Sequence, residues 1–255
     1  MPIIQSLDRA LRILDLFDEQ DSELKITEIS RKMDLHKSTV HSLLKTLQEH
    51  RYIEQNEENG KYRLGMKLLE RGHLLLQQLD IRTLSRTVLL ELASLTGQTA
   101  HLVIREGREG VYIDKVEGAR AVIRYSRIGR RIPLHCSSVG KILAAFLPAE
   151  EQEQLLRGYE YTVHTPRTIT DPAAFIRELE QVRKDGYAID NQENEPGVRC
   201  AAVPVRNHSG QVIAAVSIST LVSNVNDAEL GAFLPELKKA GESISRRMGF
   251  GMVKR

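Results

Sequence analysis

The chain has 255 residues, 41% of them hydrophobic, which is enough to build the cores of one or two domains. Thirty-six lysines and arginines nearly balance 34 acids, so the net charge of +2 by itself predicts nothing about nucleic acid. The absence of an apolar run of ~18 residues, of a signal-peptide pattern at the start and of more than two cysteines predicts a cytoplasmic protein with reduced thiols.

The first 65 residues predict three helices followed by a two-stranded ribbon. The first helix is SLDRALRILDLF, with Ser6 as its expected N-cap and an apolar stripe that includes Leu7 and Leu11. The second is ITEISRKM, and the third follows a turn at Asp34. Asn59-Gly60 then predicts a tight turn between two short strands. This order is typical of a winged helix-turn-helix, in which the second helix of the motif lies in the major groove.

The third predicted helix has two distinct faces. Its apolar residues fall within one arc of about 100°, namely Val40, Leu43, Leu44 and Leu47. Its polar residues fall within a separate arc of about 140° and are short or cationic: Lys37, Ser38, His41, Ser42 and Lys45. A solvated amphipathic helix is the alternative, but the preceding helix and the ribbon favour DNA binding.

Charge supports a local anion-binding surface only. Residues 25–51 carry six lysines and arginines against three acids, although residues 1–65 as a whole have ten against twelve. Lysines there would neutralise phosphates, and short polar side chains would let the backbone approach the DNA. The candidate DNA contacts are Arg31, Lys37, Ser38, Thr39, His41, Ser42, Lys45, Lys61 and Arg63.

The remaining residues predict a linker helix and then a mixed α/β domain. Residues 65–79 form one helical pattern with a seam of Leu68, Gly72, Leu75 and Leu79. Strand-like runs follow (TAHLVIR, GVYIDKV, AVIRYSR, YAID, CAAVPVRN, QVIAAVSIS), with Ser209-Gly210 turning between the last two. Helices are predicted over 84–95, after the loop PLHCSSVG, over a segment capped by Asp171 and stopped by Gly186, and over 227–248. We expect a mostly antiparallel sheet flanked by helices.

The chain resembles the IclR-type transcriptional regulators, which are bacterial ligand-responsive repressors and activators. The resemblance is carried by SLDRALRILDLF, T-E-I-S, KSTVHSLLKTLQEHRYI, KYRLG, RIPLHCSSVGKILAA and GYAIDNQENEPGVRCAAVPVRN. Ala201 and Arg206 depart from the family pattern, which usually has a larger aliphatic and an aromatic residue there. The resemblance implies an α+β fold in two domains: a winged helix-turn-helix at 4–66, then a linker helix and a GAF-like effector-binding domain at 67–252.

The resemblance also implies an effector site for a small organic acid. The positions that match are Ser138, Val139, Asp190, Cys200, Ser217 and Ser219. A small-residue loop that opens a helix offers backbone N–H groups to a carboxylate, and Ser217 and Ser219 point to one face of a strand. Each position has an alternative: Cys200 as a small core residue, Asp190 as a turn cap, and the serines as partners of nearby backbone.

The function implied is a ligand-responsive transcriptional regulator, with a repressor favoured, that binds double-stranded operator DNA as a homodimer or tetramer. An enzyme and a protein–protein adaptor are the rivals. Against an enzyme, the chain lacks G-x-S-x-G, H-E-x-x-H, a Gly-rich phosphate loop and metal-spaced Cys/His sets, so no cofactor and no metal is expected. His135 and Cys136 could suggest a base and a nucleophile, but neighbours on a strand would point to opposite faces.

Overall fold

The computed structural model describes residues 3–18, 20–71, 80–121 and 126–251. The chain divides into two compact units, residues 1–79 and 80–255. Most of the predicted linker seam, including Leu75 and Leu79, lies outside the described residues. The boundary predicted between residues 66 and 67 stays a prediction.

Among its described residues, the N-terminal unit contains the helices α1 (Gln5–Leu14), α2 (Ile26–Met33) and α3 (Lys37–Glu49) and an antiparallel ribbon of β1 (Ile53–Gln55) and β2 (Tyr62–Leu64). Residues 66–71 are helical. The predicted order of elements is confirmed. The small core is formed by Ile13, Phe17, Leu24, Ile29, Met33, Val40, Leu44, Ile53 and Tyr62.

The start and the apolar face of α1 differ from the prediction. The N-cap is Ile4, which makes no side-chain cap hydrogen bond, so the expectation for Ser6 was wrong. The helix instead buries Ile13, which was not part of the predicted stripe, and Phe17 is buried just beyond the end of the helix. Leu7 and Leu11, which belong to the predicted stripe, are 56% and 53% exposed. An apolar strip of α1 is therefore left uncovered within the unit.

The described residues of the C-terminal unit form the strands β3 (Thr99–Glu106), β4 (Glu109–Val116), β5 (Arg131–Pro133), β6 (Ala188–Asn191), β7 (Val198–Arg206) and β8 (Val212–Leu221). These strands make one antiparallel sheet in the order β5-β4-β3-β8-β7-β6. The helices are α4 (Ile81–Thr96), α5 (Ser138–Ala145), α6 (Ala149–Leu156), α7 (Pro172–Asp185) and α8 (Asp227–Arg247). The α+β class and the two-domain plan are confirmed.

Alternation along β7 separates the two faces of this sheet. Val203 faces α8, where a Cβ on Gly241 would come within 2.7 Å of its Cγ2 atom. Ala202 points the other way and packs with Val139 and Ile142 of α5. The sheet therefore has one face covered by α8 and another that meets α5.

Several local predictions for this unit hold, and others fail. The Asp171 side chain accepts from Ala173 N and Ala174 N at the start of α7, and Gly186 ends that helix with φ +73°. β5 and α6 were not predicted, because three residues are too few to show a period and AEEQEQLL has little apolar pattern. AVIRYSR falls largely on residues 122–125, outside the described part. No helix of the described ranges is long and apolar enough to cross a membrane.

Candidate DNA-binding and effector-binding sites

The turn between α2 and α3 fixes the orientation of α3. Asp34 has φ +52°, a left-handed conformation that Asp tolerates because its short side chain can bond locally. The Ser30 hydroxyl donates to Leu35 O at 2.6 Å, which ties the end of α2 to the turn. At its start, α2 is held by the Glu28 carboxylate, which accepts from Lys25 N at 2.7 Å.

α3 has the two faces that its periodicity predicts. Val40 and Leu44 are buried, and Leu43 and Leu47 are partly buried against the same core. The candidate contacts on the opposite face are exposed, apart from the half-buried Thr39: Lys37, Ser38, His41, Ser42 and Lys45. The polar face is therefore open to a ligand within this unit.

The cationic side chains of the motif differ in whether they have partners. The side chains of Lys37, Lys45 and the exposed Arg31 make no ion pair or hydrogen bond with any residue that the structure describes. Lys32, by contrast, is paired with Asp21. The charges of Lys37 and Lys45 are thus available to phosphates without breaking an existing pair.

The hydroxyls of α3 are partly engaged. Ser42 Oγ donates to Ser38 O at 3.1 Å, and Thr46 Oγ1 donates to Ser42 O at 3.0 Å. These are bonds to the carbonyl four residues earlier, a pattern common for Ser and Thr inside helices. Ser42 was expected to be a donor to DNA, but in this arrangement its hydroxyl presents its acceptor side outward.

The ribbon is pinned to the rest of the unit at its base. Tyr62 exchanges two backbone hydrogen bonds with Leu24, at 2.8 and 2.9 Å. At the tip, hydrogen bonds from Asn59 and Asn56 hold the pKa of the Glu23 carboxyl below its usual range. Lys61 is half-buried. The exposed Arg63 pairs across the strands with Glu54 at 3.2 Å, a contact weak enough to give way to a phosphate.

The four effector candidates on strands lie on one face of the large sheet. In the register, Asp190 pairs with Cys200, and Cys200 with Ser219. The next row joins Ala188, Ala202 and Ser217. Because directly paired residues share a face, this is the face that meets α5.

Asp190 has the geometry of a turn cap. Its Oδ1 atom accepts from Glu193 N at 2.7 Å and from Asn194 N at 3.4 Å. Burial raises the pKa of this carboxyl to about 7, against the effect of those bonds. The Cys200 thiol is also buried, which raises its pKa, and it donates to Ser219 Oγ at 3.0 Å. The expected alternative for Asp190 as a turn cap is therefore present. A pKa of about 7 leaves this carboxyl about half protonated near pH 7, whereas the Cys200 thiol stays protonated.

Ser138 and Val139 occupy the first turn of α5, as the sequence predicts. Ser137 is the N-cap: its Oγ accepts from Gly140 N at 3.1 Å, and the first intrahelical bond comes from Lys141 N. The N–H groups of the first helical residues have no intrahelical acceptor, so this end suits an anion. Gly140 is required here because a Cβ would lie 2.4 Å from Leu134 Cα.

Two residues that the sequence reasoning missed extend the same rows on β3. Thr99 pairs with Ser219, and His101 pairs with Ser217. Thr99 Oγ1 and His101 Nδ1 are buried and have no hydrogen-bond partner among the described residues. Burial lowers the pKa of His101 to about 3, so the ring is neutral, with Nε2 near Ser126 Oγ at 2.8 Å. The available signal was the pair of polar residues, Thr99 and His101, at alternate positions in the otherwise apolar start of TAHLVIR.

The buried Lys141 connects α5 to α7 and to the turn after β6. Lys141 Nζ lies 2.8 Å from Glu178 Oε1, 2.8 Å from Ile189 O and 2.7 Å from Glu193 Oε1. All three donors of the ammonium group are used. Glu193 Oε2 is buried and unpartnered among the described residues. The network fixes the start of α5 against α7 and the turn after β6.

Comparison with known proteins places both units in one family. The description "IclR helix-turn-helix domain" matches residues 6–57, and "Bacterial transcriptional regulator IclR C-terminal" matches residues 73–246. The chain is 59% identical to the HTH-type transcriptional regulator XynR of Escherichia coli (strain K12), over 98% of this chain and 99% of that protein. It is 38% identical to the HTH-type transcriptional regulator KdgR of the same strain, over 97% and 94%. The crystal structure of the Agobacterium tumefaciens repressor BlcR superposes with a TM-score of 0.80 at 29% identity, over 97% and 98%.

Proposed function

The chain belongs to the IclR family of bacterial transcriptional regulators, and from that premise we propose that it is an effector-controlled repressor. In this proposal α3 lies in the major groove of operator DNA, and the C-terminal unit binds a small organic acid that changes operator affinity. The chain is a regulator and not an enzyme. Because its target is chromosomal DNA, we expect it to act in the cytoplasm.

The observation that carries the DNA-binding proposal is the exposed polar face of α3. Lys37 and Lys45 stand on it without an ion-pair partner in the described part of the chain. Ser38 and His41 lie between them on the same face, close to the N-terminal end that reaches base edges in this class of motif. Arg31 and the ribbon residues Lys61 and Arg63 would contact the flanking backbone.

A salt titration of operator binding tests this proposal. Each phosphate contact contributes about −0.9 to the slope of log K against log salt, so losing one contact changes the affinity ratio between 50 and 200 mM salt by roughly 3.5-fold. Lys37→Ala or Lys45→Ala in a dimer removes two such contacts and should lower the slope by about 1.8. Lys239→Ala is the control, because Lys239 lies on α8 and is paired with Glu236.

The outcomes distinguish two roles for these lysines. Equal weakening on operator and unrelated DNA supports phosphate contacts. Weakening on the operator alone would assign the residue to base reading, and an unchanged slope in both variants would contradict binding through this face.

The exposed strip on α1 supports a homodimer. Ile3, Ile4, Leu7 and Leu11 are each more than half exposed. A second copy of the chain is the occupant we propose, because two recognition helices are needed to read two half-sites. Sedimentation of Leu7→Glu/Leu11→Glu should show monomers, whereas Leu90→Glu, an exposed leucine of α4, should sediment as wild type. An unchanged mass for the α1 variant would rule out this interface. The same sedimentation experiments would also show whether dimers pair into tetramers.

The effector proposal is supported by buried polar atoms that lack hydrogen-bond partners among the described residues and lie beside the predicted effector-binding residues. Thr99 Oγ1 and His101 Nδ1 share sheet rows with Ser219 and Ser217, and a buried polar atom without a partner is costly unless a ligand supplies one. The first turn of α5 would receive the carboxylate. Asp190 and Cys200 would border the ligand. A thermal-shift screen of small organic acids should yield a hit whose effect Ser217→Ala/Ser219→Ala reduces. Hits that respond equally in both proteins would place the ligand elsewhere.

A further inference from the structure

Three side chains of metal-ligating type meet beside the start of α5. One ring nitrogen each of His135 and His164, together with Cys136 Sγ, lie within 4.8 Å of one another. None of the three belongs to the proposed effector set. His135 and Cys136 are adjacent, and an extended strand would separate their side chains. Residues 134–137 form a bend instead of a strand, so the sequence expectation that they point apart was wrong.

The loop that carries His164 is held in place by its own hydrogen bonds. His164 N donates to Thr168 Oγ1 at 3.1 Å, and that hydroxyl donates to Glu193 O at 2.7 Å. The Thr165 hydroxyl donates to Gln192 O at 2.7 Å. The backbone of His164 is therefore fixed against the turn after β6, while its side chain is exposed and free to adjust.

The hydrogen bonds of His135 leave one nitrogen able to bind a cation. Its Nε2 lies 3.0 Å from Thr162 O, and because a carbonyl can only accept, Nε2 carries the proton. Nδ1 then accepts a long hydrogen bond of 3.3 Å from the Tyr159 hydroxyl, which a metal ion at Nδ1 would displace. An N–H bonded to a backbone carbonyl is the usual outer contact of a metal-bound histidine.

The surroundings of Cys136 favour a cation over an anion. The thiol is buried, in a region that also holds the carboxyl groups of Asp190 and Glu193. Its nearest polar contact is Asn194 Oδ1 at 3.6 Å. Binding a divalent ion would break the S–H bond, form a sulfur–metal bond and release the proton to water, with no change of oxidation state.

A cleft gives access to the cluster from solvent. It has a volume of about 290 Å³, and its walls include His135, Tyr159, His164, Glu109 and Glu160. A metal held by the three side chains would keep a fourth position facing this cleft, where water or a carboxylate can enter.

We propose that His135, Cys136 and His164 form a site for a divalent transition metal, with Zn²⁺ the best match. Two imidazoles and a thiolate are ligands that zinc prefers and that Mg²⁺ and Ca²⁺ avoid. Zn–S and Zn–N bonds of about 2.3 and 2.0–2.1 Å hold tetrahedral ligand atoms about 3.4–3.6 Å apart. The three ligand atoms now lie within 4.8 Å of one another, so bringing them to this distance takes a movement of roughly 1 Å. The exposed His164 side chain can make this movement.

Metal binding to the full-length, tag-free chain tests the site. The chain is stripped with a chelator and titrated with Co²⁺ and with Zn²⁺ against a chromophoric competitor. We expect one equivalent per chain and a thiolate-to-cobalt charge-transfer band. Cys136→Ala should abolish the band, and His164→Gln should weaken binding by about 10–100-fold, the range known for loss of even an outer contact. His208→Gln, in an exposed turn, is the control for histidine and should bind as wild type.

Several results would overturn the proposal. The first is a chain that retains no equivalent of metal. The second is bound cobalt without the charge-transfer band, and the third is loss of the band in Cys200→Ala but not in Cys136→Ala. If Cys136→Ala fails to fold by circular dichroism, His164→Gln decides the question, because that side chain is exposed. Unchanged affinity in His164→Gln then rejects the site.

Discussion

The Lys141 network allows a sharp test of what holds the effector region together. Replacing Lys141 by Met keeps the bulk of the side chain and removes the ammonium group. Glu193 loses its partner in a buried setting where its other oxygen is already unpartnered in the described structure. Glu178 is less affected, because its side chain is 32% exposed and can rehydrate.

The size of the expected loss of stability follows from this difference in exposure between Glu193 and Glu178. Removing one partner of a buried ion pair costs about 3–5 kcal/mol, and the exposure of Glu178 places the expected loss near the lower end, about 3 kcal/mol. Adding Glu193→Gln to Lys141→Met removes the stranded charge and should recover part of the loss. Lys239→Met, on the exposed surface, should change the free energy of unfolding by less than about 0.5 kcal/mol.

Urea unfolding of the full-length chain measures these differences. The protein has no tryptophan, and five of its seven tyrosines lie in residues 80–255, so tyrosine fluorescence reports mainly on the C-terminal unit. A loss below about 1 kcal/mol for Lys141→Met, on the scale of an exposed pair, would refute the reasoning. So would a double variant that is no more stable than the single one.

Three further predictions concern pH, the winged unit and the linker. The pKa of Asp190 is raised from 3.8 to about 7, so the folded chain holds this proton more tightly than the unfolded chain. The contribution of Asp190 to stability therefore falls as the pH rises from 4 to 7. Asp190→Asn should reduce this fall in the urea midpoint, and a pH profile identical to that of the wild type would contradict the prediction. Gly65→Ala should destabilise the N-terminal unit by several kcal/mol, because the new Cβ would lie 2.2 Å from Arg51 O; an unchanged melting curve would show that the backbone gives way. A polar residue at Leu75, in the predicted linker seam, should uncouple ligand binding from DNA release in a gel-shift titration, and a full ligand response would exclude the linker as transmitter.

Local chemistry made much of the fold predictable from the sequence. The two faces of α3 follow from a period of 3.6, and the ends of α7 follow from Asp171 and Gly186. Asn59-Gly60 and Ser209-Gly210 mark turns that the structure contains, with φ of +68° and +82° at the two glycines. In each case the deciding interaction lies within a few residues of the signal.

Other features depend on which segments meet, which one sequence does not state. The pairing of Thr99 and His101 with the serines of β8 is a matter of register between strands far apart in the chain. Leu7 and Leu11 carry a strong helical pattern, yet the core selects the neighbouring flank of α1. The approach of His164 to His135 depends on a loop tied down by Thr165 and Thr168.

The most direct test of an effector-controlled repressor measures binding of the identified organic acid to the free chain and to the operator complex. If the two sites are coupled, the acid changes operator affinity by roughly 5–150-fold, equivalent to about 1–3 kcal/mol, and the operator changes the affinity for the acid by the same factor. We expect the acid to bind the free chain more tightly than the DNA-bound chain. Equal affinity for the two forms would contradict control of DNA binding by this ligand.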